Sequence, residues 1–244
     1  MTGYRRPQEQ QWAADQNVLF QRVAVLERQV AALTFGSQPA LPTSSTHPAS
    51  PTTGMPIYET DTGLEAYWSG TAWVYPPQLI AKQVLTASAA SVTFSGIPQG
   101  FTNLRLLISA RSDGTGASGY DAANLQLNGV TSGYNWNTIW SPQSSGTISA
   151  TGGTSQSSMQ CAEIWNSHFG TVGRGIATID IPNYASGSGL RGFTSQSAAS
   201  DGGAAGITQI YSGCSNITGA ITSLTVLMGA GNFIAPSEFS LYGL

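Results

Sequence analysis

Residues 54–244 predict a mainly β chain, an antiparallel jelly-roll-like sandwich preceded by a short β-meander, and residues 12–35 predict a coiled-coil helix in front of them. Three observations carry this prediction. Apolar residues keep a heptad period only between Trp12 and Leu33. Short alternating runs separated by Gly, Ser and Asn turns fill the rest, and no stretch after residue 54 keeps a helical period.

The helix comes first. Leu19, Leu26 and Leu33 fall seven apart, with Val23 and Val30 four residues after the first two, which is the register of a coiled-coil seam. Trp12 extends the d positions one heptad upstream. Gln16 takes an a position, where a polar side chain lowers stability but penalises other registers. Arg22 at g and Glu27 at the following e pair between helices in a parallel assembly. A lone helix of about 33 Å, at about 1.5 Å per residue, is marginal in water, so this seam needs burial. Sister helices or the chain's own globular part would supply it. The Pro/Ser/Thr stretch that follows separates the helix from the remainder and favours self-association through Trp12, Gln16, Leu19, Val23, Leu26, Val30 and Leu33. Val at a with Leu at d leans towards two strands, yet three heptads containing Trp12 and Gln16 leave the number open.

Composition narrows the function classes. Only 9% of residues are charged, so the surface must be wetted by hydroxyls and amides. Lys82 is the single lysine, net charge is −3, and no basic cluster exists to hold phosphates, which excludes a nucleic-acid partner. No apolar run approaches the roughly 20 residues that cross a bilayer, so no membrane insertion is expected. The start of the chain leads into Gln and Glu rather than a signal-peptide core, which predicts synthesis in the cytoplasm without export. Cys161 and Cys214 lack CxxC spacing; one disulfide is conceivable, but two buried thiols fit a reducing compartment better.

In chain order, residues 1–11 are polar and form a natural attachment peptide upstream of the 12–35 stalk. Residues 36–53, with Pro39, Pro42, Pro48 and Pro51, read as a semi-rigid linker in which His47 is solvated. Residues 54–77 are a meander: Met55–Tyr58, Glu65–Trp68 and Trp73–Tyr75 alternate with turns at Thr60–Gly63 and Ser69–Gly70. Three such strands cannot stand alone, and Tyr58, Tyr67, Trp68, Trp73 and Tyr75 need cover, for which copies from sister chains are the obvious source. Residues 78–244 carry about ten strand-like runs, the clearest being Leu104–Ala110, Met159–Trp165, Gly175–Ile181 and Ser223–Met228. Ten strands without helices imply two packed antiparallel sheets. The segments Ser141–Ser158 and Ala198–Gly206 read as loops facing solvent or a target. Phe239, Leu241 and Leu244 alternate with Ser240, Tyr242 and Gly243, so the last strand can bury one face to its final residue, and trimming it should unfold the domain.

Several runs resemble tailed-bacteriophage virion proteins. "GMPIYETDTGLEAYWSGTAWVYP" looks like a meander that in those proteins sits between a coiled-coil stalk and a distal domain. "VTFSGIPQGFTNLRLLISARSD", "LQLNGVTSGYNW", "IATIDIPNYAS" and "ITSLTVLMGAGNFIAPSEFSLYGL" are similar, in this order, to segments of phage minor structural proteins. The resemblance implies a homotrimer assembled in the host cytoplasm and located in the virion. It implies a second virion protein as partner of the N-terminal segment, and a β-sandwich carried on a tail appendage or capsid fibre.

Appendages of this kind often carry hydrolases, which makes paired carboxylates the first candidates for chemistry. After Glu65 the carboxylates are Asp113, Asp121, Glu163, Asp180, Asp201 and Glu238. A glycosidase needs two of them about 5 to 10 Å apart. Asp113 and Asp121 bracket a Gly-rich loop and could converge, although Asp at turns is the simpler reading. His168 is the one histidine of the domain and no G-x-S-x-G surrounds a serine. No ligand spacing points to a metal, and no cofactor is implied. A non-enzymatic role is therefore expected. Tyr134, Trp136 and Trp140, beside Asn135 and Asn137, are the glycan-binding candidates, because flat rings flanked by amides suit a neutral sugar. The competing reading makes those rings plugs at the sandwich ends. Alternatives to the tail appendage are a capsid fibre or decoration protein without a dedicated receptor, and a glycan depolymerase.

Overall fold

Every element among the described residues is a strand, and all paired strands run antiparallel. The computed structural model of the chain describes residues 41–168, 173–200 and 206–244. The predicted attachment peptide, the helical seam from Trp12 to Leu33 and the start of the linker lie outside the described residues, as does Asp201. The chain divides into two units, Met1–His47 and Pro48–Leu244. In the first, the described residues form a turn laced by hydroxyls, with Thr43 Oγ1 2.6 Å from Thr46 Oγ1. Residues 48–53, read as linker, group instead with the β-rich unit.

The strands are β1 Pro56–Tyr58, β2 Glu65–Trp68, β3 Trp73–Val74, β4 Gln78–Val84, β5 Ser91–Ser95, β6 Asn103–Ala110, β7 Tyr120–Leu127, β8 Tyr134–Pro142, β9 Ser149–Gln156, β10 Met159–Trp165, β11 Arg174–Pro182, β12 Arg191–Ser200, β13 Gly206–Ser215, β14 Ser223–Met228 and β15 Glu238–Gly243. The first three make the meander. The others make a four-stranded sheet in the order β10-β7-β14-β5 and an eight-stranded sheet in the order β4-β15-β6-β11-β12-β13-β8-β9. Mainly β is therefore right.

Two predicted loops contain strand. β9, Ser149–Gln156, lies within Ser141–Ser158, and the end of β12 takes in Ala198–Ser200. β9 reads Ser-Ala-Thr-Gly-Gly-Thr-Ser-Gln, with no large apolar residue to mark an inward face, because it is the outer edge of the sheet and pairs on one side only.

Alternation puts Leu104, Leu106, Ile108, Ile179, Ile181, Phe239 and Leu241 of the large sheet against Val92, Phe94, Leu125, Leu127, Leu224 and Val226 of the small one, all buried in one apolar cluster. β15 lies between β4 and β6 and is paired on both sides to Gly243, so the end of the chain is an interior strand.

Part of the meander is covered by its own chain, while Tyr58 and Tyr67 stay exposed. Leu64 joins the sandwich core, and the Tyr75 ring packs 5.3 Å from that of Phe101. The Tyr75 hydroxyl donates to the carboxylate of Glu59, which is fully buried and also accepts from Thr62 Oγ1 at 2.6 Å. Trp68 and Trp73 meet edge to face at 5.5 Å.

Arg191 opens β12 as a buried cation with no carboxylate partner among the described residues. Its guanidinium donates to the carbonyls of Gly219 and Ser188 at 3.1 Å, Thr218 at 3.2 Å, and Ser186, tying two loops together. Four carbonyl dipoles replace its water shell. Arg191→Leu strands those carbonyls and should lower unfolding free energy by about 3 kcal/mol; urea denaturation of the two proteins checks this.

Candidate functional site

The three glycan-binding candidates all lie on β8, and the pleat decides what they can touch. Tyr134, Trp136, Thr138 and Trp140 face inward, whereas Asn135, Asn137 and Ile139 face out. Tyr134 is fully buried; its hydroxyl accepts from Leu127 N at 3.0 Å and donates to Val130 O at 2.9 Å, closing the β7–β8 turn. It offers no face to a sugar. Trp136 is half-buried against the core and lies over Gly153 of β9. Trp140 packs against Trp165, Ala199 and Ile207, and Trp165 is itself buried. Rings and amides were adjacent in sequence, but the strand sends them to opposite faces. Asn135 serves the sheet edge, accepting from Ser155 N at 3.0 Å.

The carboxylates are occupied by lacing. Asp113 accepts from Asn232 through backbone and side chain at 2.7 and 2.9 Å, and these bonds hold its carboxyl below the usual range. Asp121 accepts from Ser112 Oγ and from Asn166 Nδ2 at 3.3 Å. Both approach the Gly114 loop, as the sequence suggested, and there they pin turns. Asp180 takes a two-pronged contact from Arg105 at 2.7 and 3.0 Å, and Glu238 pairs with Lys82 at 2.8 Å. Among the described residues, no three His, Cys, Asp or Glu groups gather as a metal site would require. Cys161 and Cys214 are free thiols, the first buried and the second half-buried.

Glu163 is the exception. It sits on β10, 8% exposed, facing the inner side of β12 and β13. Gln160 Nε2 donates to its Oε1 at 2.8 Å, and Gln209, Tyr211, Ser197 and Ser195 complete a buried polar layer. Burial pushes its carboxyl up to about 7, opposed by hydrogen bonds from Gln209 and Gln160 and reinforced by the charge of Asp121. The same burial raises the Cys161 thiol and the Tyr211 phenol.

The accessible aromatic surface lies elsewhere, on the meander. Pro56 pairs with Tyr67 and Tyr58 with Glu65, so all four project from one face, while Ile57 and Ala66 project from the other. Tyr58 is 57% and Tyr67 42% exposed. With Pro76 they line a cleft of about 410 Å³. Gln78 clasps the backbone of Glu65, accepting from its N at 3.0 Å and donating to its O at 2.9 Å, while the Glu65 carboxylate has no partner among the described residues. Tyrosines at diagonal positions, whose backbone sites on an antiparallel pair lie about 7 to 8 Å apart, beside a free carboxylate can stack a pyranose and accept its hydroxyl protons. The alternation of Pro56 with Tyr58 and of Glu65 with Tyr67 was the signal in the sequence that these groups share a face. No protein-family model and no curated protein matches this chain.

The raised carboxyl of Glu163 sets a pH dependence. The folded state holds this proton more tightly than the unfolded chain, whose carboxyl titrates near 4.5. The contribution of this carboxyl to stability is therefore full below about 4.5, falls as pH rises towards about 7, and is level above it. At about 1.4 kcal/mol per pKa unit the loss is on the order of 3 kcal/mol. Glu163→Gln should flatten this slope and raise the melting temperature at pH 8 above that of the parent, with little change at pH 4.5; scanning calorimetry across pH checks both.

Proposed function

We propose that this chain is a structural virion protein of a tailed phage: a homotrimeric fibre or spike that projects a jelly roll and contacts host-surface glycan, with its N-terminal segment docked on another virion protein. The observation that carries the reading is the strand order. The four strands β4-β15-β6-β11 and the four strands β5-β14-β7-β10 alternate between facing sheets as a jelly roll requires. The hairpins β8–β9 and β12–β13 are then insertions that widen one sheet. The runs that resemble phage structural proteins fall on the meander strands β1 to β3, on the start of β8, and on β5, β6, β7, β11, β14 and β15, the last six of which belong to the jelly-roll set.

The heptads from Trp12 to Leu33 support self-association, and the resemblance supports three chains. A tail appendage is preferred to a capsid fibre. Contact with glycan is supported by the Tyr58, Tyr67 and Glu65 cleft rather than by Tyr134, Trp136 and Trp140. Each cleft alone would bind weakly, and three on one stalk would bind together. The occupied carboxylates around Gly114 support a non-hydrolytic role.

Light scattering of the full chain should give three times 25.4 kDa, and Leu19→Asp with Leu26→Asp should give one; a parent monomer would defeat the assembly. Host cell-wall polysaccharide should bind saturably without release of reducing ends. Tyr58→Ala with Tyr67→Ala should weaken that binding about tenfold or more, the scale of losing about 1.4 kcal/mol of stacking.

A further inference from the structure

The outer face of the eight-stranded sheet does not look like a face that meets water. Strand alternation makes the solvent side of an antiparallel sheet polar when only one side is covered. Here Leu107 on β6, Ile176 on β11, Ile210 on β13 and Ile139 on β8 are exposed by 38, 57, 59 and 57%. They are not scattered. Register pairing runs Leu107 to Thr178, Thr178 to Gln196, Gln196 to Ile210 and Ile210 to Ile139, one continuous row across five strands. Ile176 and Ala198 stand in the next row, and together they floor a shallow depression of about 590 Å³.

Charge identifies the occupant. The residues between the aliphatics are neutral. Of the ionic groups on this face, Arg105 is neutralised by Asp180 at 2.7 Å and Lys82 by Glu238 at 2.8 Å, while Arg174, at the end of β11 beyond Ile176, is exposed and donates to Pro236 O at 2.8 Å. Every group that lines the depression itself is neutral and none is aromatic, so a charged partner finds nothing there to attract it and a sugar finds no ring to stack on. Within the depression a copy of the same face meets no like-charge repulsion. The area also fits: eight strands at about 4.8 Å spacing and six residues at about 3.4 Å rise give about 780 Å², close to the roughly 800 Å² that one partner contributes to a stable interface.

We propose that this face is where sister heads meet, turned towards a common axis with Leu107, Ile139, Ile176 and Ile210 of each copy buried against the others. The proposal rests on the homo-oligomeric reading, because the stalk supplies the local concentration that makes a neutral contact close. Heads joined this way leave the meander cleft on Tyr58 and Tyr67 free, since those residues belong to a different sheet.

The test uses the full chain with Cys214→Ser, leaving Cys161 in the core where reagents do not reach it. Ile210→Cys places a thiol on the face, and Thr93→Cys places one on the exposed side of the four-stranded sheet. Mild oxidation should cross-link sister chains through position 210 about ten times more than through position 93. The mass of each untreated variant is measured alongside. An oligomer that cross-links no better at 210 than at 93 overturns the proposal, leaves the stalk standing and assigns the face to a foreign partner. A monomer overturns both, and the mass separates the two failures.

Discussion

The free edge of β10 is the constraint from which much of this sandwich follows. β10 pairs with β7 on one side only, yet it is buried, so its outer backbone groups have no water to turn to. The facing sheet supplies them: Ser195 Oγ donates to Cys161 O at 2.6 Å, and Ser197 Oγ accepts from Glu163 N at 3.4 Å. This arrangement requires the large sheet to extend past the small one, which the hairpins β12–β13 and β8–β9 provide. It also requires close approach. At Gly175 of β11 a Cβ would lie 2.6 Å from Glu163 O and 2.7 Å from Ile164 Cα, so a side chain there would push the edge away.

The edge explains features that look unrelated. Serines rather than aliphatics line the inner side of β12 because they are there to accept and donate, not to pack. Glu163 shares that layer, and its proton affinity rises because the layer is dry. Trp136 and Trp140 stay half-buried because they cover sheet that extends beyond the four strands opposite, where no second layer finishes the job. A binding surface and the rim of an unevenly covered sheet use the same residue types, and only the direction of the side chain separates them.

What the residues disclosed in advance follows from how far local rules reach. The strands β2, β10 and β14 were legible to the residue, because Glu65–Trp68, Met159–Trp165 and Ser223–Met228 carry apolar groups bounded by turns. β8 was hidden in plain view: Tyr134, Trp136, Thr138 and Trp140 alternate, but read as ring chemistry the run concealed its period of two. β9 carried no signal, since an edge strand exposed on both faces obeys no hydrophobic period. The cover that Phe101 gives Tyr75 was not legible because the two lie 26 residues apart in sequence, and pairing at that range is a property of topology. The candidate site failed for the same reason in reverse, as neighbours along a strand are not neighbours in space.

Charge closes the argument about partners. Of the nine basic residues, four precede residue 30 and the other five are Lys82, Arg105, Arg111, Arg174 and Arg191. Lys82 and Arg105 are held by carboxylates, Arg191 by four carbonyls, and Arg174 donates to Pro236 O at 2.8 Å. Arg111 is held low in proton affinity by burial and by Arg174 beside it. Lys82 and Arg105 are thus cancelled by carboxylates, and the remaining arginines are too few and too scattered to make a basic patch that steers an anion from a distance. Under the proposed function, recognition by this β-rich unit would have to come from shape, stacking and hydroxyl exchange, each weak and short-ranged. Presenting several copies together would be the physical remedy for that weakness, and this is how its sparse charge and the leucine-valine period at the start of the sequence would make sense as parts of one molecule.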